Sequence, residues 1–319
     1  MFSVDNRANS VPSVFSVDNR SRGCGGQALV ATLREIRRRI RSIQSTAKIT
    51  RAMELVAASK MRRAQLNALA GRPYAEKMRF VLADLGETLP LIDPEARHPL
   101  LRQADEVRNI GIVFITPDRG LAGGLPSTLN RRAAQFIVEN GKAARTVAVG
   151  RKGRDFMRRT GQNVIAEFSG IGDNPTYADV RPIAQVAVQE FTEENVDEVH
   201  LVYMQFVNTV VQRPEVFKLL PVEPPAEAET LAIDYIYEPD RETVLAELLP
   251  RYIEQQVYAA TLEAIASEQS ARMVAMRNAT DNANELMRDL TLVYNKARQE
   301  SITSELLDIT GGVEALQGT

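Results

Sequence analysis

A glycine-rich turn is the part of this sequence with the best case for bond chemistry. It comprises Asp118, Arg119, Gly120, Gly123 and Gly124, directly after a short apolar segment. A turn of this kind between a strand and a helix can bind a phosphate through its backbone amides. It has neither a Gly-Lys-Ser/Thr ending nor G-x-G-x-x-G spacing, and Asp118 and Arg119 are the only ionisable side chains in it. A tight strand-to-helix turn explains the glycines better, and a nucleotide-binding enzyme remains an alternative hypothesis.

Cysteine and histidine, which could supply metal or nucleophilic chemistry, are scarce. Cys24 is the single cysteine, and the two histidines, His98 and His200, are far apart in sequence. These counts exclude an internal disulfide and argue against a His/Cys metal cluster. We therefore expect no catalytic residue, no metal site and no cofactor.

The composition places the chain among soluble globular proteins. Of its 319 residues, 44% are hydrophobic and 25% are charged, which is neither a disordered nor a membrane-spanning composition. The formal net charge of -2 lacks the overall basic balance of most nucleic-acid-binding proteins. No apolar run reaches the roughly 20 residues that a membrane span needs, and the N-terminus lacks the apolar core of a signal peptide.

The elements that must position these residues begin with a long helix over residues 28–65. It contains no Pro or Gly, and its outer face is strongly basic. A basic arm for nucleic acid is a further alternative, although residues 28–72 contain no aromatic side chain for base stacking. The apolar side chains follow the three-four spacing of a coiled-coil seam. Its predicted members are Leu33, Ile36, Ile40, Ile43, Ala47, Thr50, Met53 and Val56.

A second helix near the other end of the chain has the complementary pattern. Its seam keeps three-four spacing but consists of small and flexible side chains, which let two helices approach closely without one locked register. The predicted members are Ala266, Gln269, Met273, Met276, Thr280, Ala283, Met287, Leu290, Tyr294 and Ala297. The two helices should form an antiparallel coiled coil, a shaft that carries the middle of the chain as a globular domain.

The middle of the chain alternates short apolar runs with amphipathic segments, which is typical of a largely parallel sheet covered by helices. We expect a small Rossmann-like α/β domain with a last strand that pairs as an antiparallel edge. The predicted strands are 110–116, 146–149, 163–168, 198–205 and 210–221, and the predicted helices are 127–140, 154–160 and 177–193.

The chain therefore divides into four predicted parts. These are a disordered extension over 1–28, an N-terminal coiled-coil helix over 29–89, the Rossmann-like α/β domain over 106–233 and a C-terminal coiled-coil helix over 240–312. The hexamer FSVDNR occurs twice within the first 20 residues, which suggests either a wrongly assigned start, with Val30 as the true one, or a binding tail.

The ends of the two long helices also follow from the sequence. Pro73, after Gly71, should kink or break the first helix, and Pro250 should kink the last helix or start a new first turn. Asp240 is a predicted N-cap. The difference in helix length predicts that the last helix leaves the coiled coil from about Leu290 onward, with exposed apolar side chains beyond that residue.

Three segments of the sequence carry a resemblance to a known family. The segments EIRRRIRSIQSTAKITRAMELVAASKMRRAQ, NIGIVFITPDRGLAGGL and SEQSARMVAMRNATDNANELMRDLTLVYNKARQESITSELLDITGG closely resemble the gamma subunits of F-type ATP synthases. The resemblance runs from about Thr32 to Gly312. It implies a central rotor stalk that couples ion flow across the membrane to ATP synthesis and hydrolysis. An example of such ion flow is hydrogen ion transport driven by a proton motive force.

The resemblance also implies the partners and the location. The stalk would be a non-catalytic subunit, present once per complex, peripheral to the cytoplasmic face of the cell membrane. Its partners would be the alpha and beta subunits of the catalytic head, the epsilon subunit and the membrane c ring, with no nucleic acid.

The resemblance assigns partner contacts to six residues of this chain. Met53, Arg272, Gln299 and Thr303 match positions near the beta-subunit loop around the upper shaft. Tyr235 and Glu238 match the foot that meets the c ring. Without the resemblance, Met53 would be interpreted as a seam residue and the polar positions as solvated surface.

Overall fold

The structure of the protein is a computed structural model that describes residues 25–87, 98–223 and 237–317. The predicted disordered extension therefore lies outside the described residues up to position 24. Its last four residues, 25–28, belong to the first helix, which begins at Gly25.

Two helices, α1 (Gly25–Glu87) and α5 (Arg241–Gln317), are the longest elements. The predicted break near Pro73 does not occur, because α1 continues through it. A proline in a helix removes one hydrogen bond and crowds the preceding turn. Burial of Met78 and Leu82 in the main apolar core offsets that cost. Helix α5 likewise continues through Pro250.

The first turn of α5 has the predicted cap. The backbone N–H of Thr243 donates to Oδ1 of Asp240 at 2.8 Å, and the Thr243 hydroxyl donates to Oδ2 at 2.9 Å. These hydrogen bonds to the charged form lower the pKa of the Asp240 carboxyl.

The middle of the chain forms a five-stranded sheet of order β3-β2-β1-β4-β5. Strands β1 to β4 are parallel, and β5 is antiparallel to β4 at the edge, which confirms the predicted arrangement. The strands are β1 (Asn109–Ile115), β2 (Ala143–Val149), β3 (Asn163–Phe168), β4 (Glu198–Phe206) and β5 (Gln212–Leu220). The helices between them are α2 (Leu125–Asn140), α3 (Arg151–Arg159) and α4 (Tyr177–Thr192).

Both faces of the sheet are covered, which explains the nearly continuous apolar strands. On one face, Ile112 and Phe114 pack against α2 and α3 through Leu129 and Met157. On the other face, Val113 packs in a core to which α4, α1 and α5 contribute. Those helices supply Ile183, Phe191, Met78, Leu82, Leu249 and Ile253.

Residues 47–282 form one compact unit, in which the helix segments 47–87 and 241–282 bury a seam of small side chains. Ala57 and Ala64 on α1 are almost fully buried, and Ala64 clusters with Ile265 and Ala266 of α5. The prediction that Val56 belongs to the seam is wrong, since the side chain of Val56 is 53% exposed. From Thr50 onward a seven-residue step leads to Ala57 and then to Ala64, so the seam passes one residue beyond Val56.

The other unit contains the described residues 25–46 and 283–317. In it the guanidinium of Arg37 lies over the Tyr294 ring, 5.3 Å from its centroid, and donates to the Tyr294 hydroxyl. Leu290 is half-buried and Ser301 is buried, so the predicted departure of α5 at Leu290 is wrong. The first helix starts at Gly25, seven residues before Thr32. Leu292, Val293, Leu306, Leu307, Ile309 and Val313 are exposed, as predicted.

Gly150, between β2 and α3, lies where the backbone leaves no room for a side chain. Its φ is +89°, and an added Cβ would lie 2.0 Å from the carbonyl oxygen of Thr116. We expect Gly150→Ala to lower the free energy of unfolding by more than about 3 kcal/mol, because strain and a backbone clash add. Urea unfolding of the purified chain measures it.

The matched control is Gly161→Ala, at φ +72° with nothing within 4 Å of an added Cβ. It should cost about 1 kcal/mol for the left-handed backbone alone. Equal losses in the two variants would contradict the clash at Gly150.

Candidate functional site

A cleft of about 610 Å³ lies at the carboxyl ends of the parallel strands, within the unit of residues 47–282. Its walls come from the strand-end loops on one side and from α1 and α5 on the other. This edge of an open α/β sheet is where ligands usually bind. The polar and sulfur-bearing side chains that line the cleft include Met53, Lys60, Asp118, Asp173, Glu268 and Arg272.

The glycine-rich turn forms one wall of this cleft, and its carboxylate, Asp118, occupies the N-terminus of the neighbouring helix α3. Asp118 Oδ1 accepts a hydrogen bond from the backbone N–H of Arg151 at 3.0 Å, in the first turn of α3. Asp118 Oδ2 accepts one from the N–H of Gly170 at 2.8 Å. A helix N-terminus favours a negative charge, and here the chain supplies that charge itself. A phosphate at the N-terminus of α3 would face this carboxylate, which disfavours that position for a nucleotide.

Arg272 faces the cleft in a buried ion pair. Its Nη2 donates to Oε1 of Glu268 at 2.6 Å and to the carbonyl oxygen of Gly120 at 3.3 Å. The two ionic side chains are only 11% and 16% exposed, respectively. Burial raises the pKa of the Glu268 carboxyl, and the Arg272 guanidinium opposes that rise. The Arg272 head group is therefore largely occupied within the chain.

Met53 and Arg272 both line the cleft, so the structure brings these two predicted contact residues to one site. Met53 is half-buried there, on the α1 side.

The remaining predicted contact residues lie elsewhere. Gln299 and Thr303 are exposed, one turn apart on α5, and the Thr303 hydroxyl donates to the Gln299 carbonyl oxygen at 2.9 Å. Glu238 is exposed before α5, and Tyr235 lies outside the described residues.

Sequence reasoning missed Asp173, which lies in the loop after β3. Asp173 Oδ2 accepts from Nζ of Lys60 on α1 at 2.6 Å, and Oδ1 accepts from Nε2 of Gln269 on α5 at 2.7 Å. The next residue, Asn174, accepts a hydrogen bond from Asn67 at 2.7 Å. The run Gly172-Asp173-Asn174 could have indicated a polar loop, but nothing in it shows that the loop contacts both long helices.

Other site types are not found in the part of the chain that the structure describes. There, no three His, Cys, Asp or Glu side chains group closely enough to hold a metal ion. Among residues 25–87, 98–223 and 237–317, no helix combines the length and apolarity that crossing a membrane requires.

Comparison with known proteins gives consistent similarities. The family model described as ATP synthase matches residues 32–316. The ATP synthase gamma chain of Dehalococcoides mccartyi (strain CBDB1) is 55% identical over 287 residues, covering 90% of this chain and 100% of that protein. The ATP synthase gamma chain of Herpetosiphon aurantiacus is 52% identical over 295 residues, covering 90% and 99%.

Solved structures show similarity of fold as well. A chain of the Tetrahymena thermophila mitochondrial ATP synthase central stalk and c ring has 26% identity and a TM-score of 0.55, covering 72% of this chain and 99% of that one. A chain of the Euglena gracilis mitochondrial ATP synthase has 20% identity and a TM-score of 0.63, covering 90% and 95%. At this identity, the Euglena likeness concerns the fold alone.

The geometry of the cleft predicts no hydrolytic activity for the chain by itself. The purified protein should hydrolyse ATP no faster than a buffer blank, because Asp118 occupies the N-terminus of α3 and the glycine-rich turn has no phosphate-binding lysine. A phosphate-release assay after rigorous removal of contaminating ATPases measures this. Turnover that persists and is altered by Asp118→Ala would contradict the prediction.

Proposed function

This chain belongs to the ATP synthase gamma chain family, the central rotor stalk of the ATP synthase, and we propose that it transmits rotation without contributing catalytic groups. The observation that carries this proposal is the pair of long helices, α1 and α5, attached to a sheet domain in which Asp118 occupies the N-terminus of α3. Such an arrangement provides a mechanical element and leaves the bond chemistry to other subunits.

A rotating stalk acts by being asymmetric inside a ring of repeated subunits. Chemically identical catalytic sites meet different faces of the stalk, and each site is therefore biased toward a different conformation. Turning the stalk moves each site through those conformations in sequence, which couples rotation to synthesis or hydrolysis. The two helices of this chain differ in charge and side-chain size, and so supply that asymmetry.

The proposed partners are the alpha and beta subunits of the head, the epsilon subunit and the membrane c ring, with one copy of this chain per complex. The similarity to a chain from a central stalk and c-ring assembly supports the c ring as one of these partners. The chain would be peripheral, on the cytoplasmic face of the cell membrane.

Four residues are the proposed contacts with the head. Met53 and Arg272 share the cleft, where a loop of a beta subunit can approach both side chains. Gln299 and Thr303 are exposed on α5 and can form polar contacts with the same class of partner. The basic face of α1 suits acidic groups on the ring. Tyr235 and Glu238 are the proposed contacts with the c ring.

The function is tested first by identifying the proteins that co-purify with the chain. Affinity purification of tagged chain from its own cells should recover alpha, beta, epsilon and c subunits, identified by mass spectrometry. The recovered complex should hydrolyse ATP, whereas the chain expressed alone should not. Recovery of the chain by itself, or with nucleic acid and no ATP synthase subunit, would refute the proposal.

The contact role of Met53 is tested by Met53→Lys. A cation in the cleft can form a new ion pair with an acidic group of the surrounding ring, which would hold the stalk as it turns. We expect ions pumped per ATP hydrolysed to fall by about twofold or more, the effect of a pair worth ~0.5 kcal/mol. Membrane vesicles with the assembled complex allow pumping and hydrolysis to be measured together.

Ser59→Lys is the matched control, because Ser59 is exposed on the same helix and does not line the cleft. It should leave the pumping ratio unchanged. If the two lysine variants behave alike, or if Met53→Lys lowers pumping and hydrolysis in equal proportion, Met53 has no specific role in coupling.

A further inference from the structure

The loop of residues 169–175, after β3, contacts both long helices at a single carboxylate. Asp173 directs one oxygen to Lys60 of α1 and the other to Gln269 of α5, at 2.6 and 2.7 Å. Gln269 is buried, while Asp173 is 41% exposed on its side chain. The carboxylate thus connects two helices that are distant in sequence through a third element, the sheet domain.

Helix α5 has several further polar attachments to the same domain. The buried hydroxyl of Ser267 donates to the carbonyl oxygen of Met204 in β4 at 2.9 Å. The buried hydroxyl of Ser270 donates to the Thr209 carbonyl oxygen at 2.7 Å. Near its first half, Glu254 accepts from the hydroxyl of Tyr177 on α4 at 2.6 Å. A load that enters through the sheet domain therefore reaches α5 directly.

Helix α1 reaches the domain differently. Its segment around the seam uses Lys60 to Asp173 and Asn67 to Asn174, both in the loop of residues 169–175. Its connection to α5 is a seam of small residues such as Ala57 and Ala64, together with the buried hydroxyl contact of Thr50 and Thr280. Small side chains interdigitate little and do not by themselves lock one register between two helices.

We propose that Asp173 is a positioning residue that holds α1 and α5 in register, so that rotation of the sheet domain turns both helices together. The role rests on the proposed function, because it matters only in a chain that transmits torque. Packing of Met78 and Leu82 in the core holds the C-terminal part of α1, so loss of the carboxylate would loosen α1 against α5 under load only around Lys60, and part of the rotation would then be lost between the domain and the head. The ion pair is partly exposed, and so its removal should weaken coupling without preventing assembly.

The first test uses Asp173→Ala in the complete complex, reconstituted in membrane vesicles. ATP hydrolysis should stay near the wild-type rate, and ions pumped per ATP should fall by about twofold, because a half-exposed ion pair contributes modestly. Glu139→Ala is the matched control, since Glu139 forms an ion pair with Arg132 within α2 and touches neither long helix. It should leave the ratio unchanged. Normal coupling in Asp173→Ala would overturn the proposal.

The second test asks whether both partners of the Asp173 carboxylate, Lys60 and Gln269, are needed to hold the register. Lys60→Met and Gln269→Met should each lower the pumping ratio as much as Asp173→Ala, and the double variant should be no worse than either alone. Two independent contacts would instead give losses that add. Additive losses would show that the two contacts of Asp173 act independently and do not link α1 to α5.

The third test restores the register by another bond. The hydroxyl oxygens of Thr50 on α1 and Thr280 on α5 are 2.7 Å apart in the buried seam, so cysteines there would bring two sulfur atoms near each other, and mass spectrometry verifies that the disulfide forms. Thr50→Cys and Thr280→Cys, with Cys24→Ser, should restore coupling to Asp173→Ala when oxidised and lose it again on reduction. Coupling that stays low with the disulfide formed would refute the register role. A wild-type complex that lacks this chain, or does not pump, would refute the proposed function itself.

Discussion

Burial of small side chains between two helix segments that are far apart in sequence constrains the rest of the unit 47–282. Ala64 of α1 loses its contact with water only when Ile265 and Ala266 of α5 are beside it. The intervening residues must therefore fold into a domain whose entry and exit lie close together. The five-stranded sheet meets this need, because α1 leads into it and α5 returns along the same face, where Met78 and Leu249 share one core.

The need to hold α1 and α5 side by side also explains what occupies the carboxyl edge of the sheet. In many open α/β sheets this edge binds a nucleotide or another anion. Here Asp118 satisfies the first turn of α3 from within the chain, Arg272 contacts Gly120, and Asp173 contacts both helices. The strand-end loops thus hold protein helices where related topologies hold a ligand. A resident carboxylate also removes the positive potential on which phosphate binding depends.

The sequence was most informative where burial alone determines structure, and least informative where long-range contacts decide. Strand β3 and the antiparallel edge strand β5 could be predicted because apolar runs and turns are local signals. A break at Pro73 does not occur, because packing of a later turn outweighs a local preference. The assignment of Val56 to the seam was wrong because a seam of small residues can accommodate more than one set of contact positions. The shared cleft of Met53 and Arg272 follows from helix pairing, whereas the double contact of Asp173 depends on loop geometry that no periodicity shows.

The ion pair of Glu268 and Arg272 links the chain's own stability to the approach of a partner. Both side chains are largely buried, and a buried charge that loses its partner is costly. An acidic group that enters the cleft must compete with Glu268 for the Arg272 guanidinium. Burial has already raised the pKa of Glu268, so this carboxyl can take up a proton more easily than an exposed one when the guanidinium turns away. We propose that such a contact would exchange one buried ion pair for another, so that few fixed bonds would resist the next step of rotation.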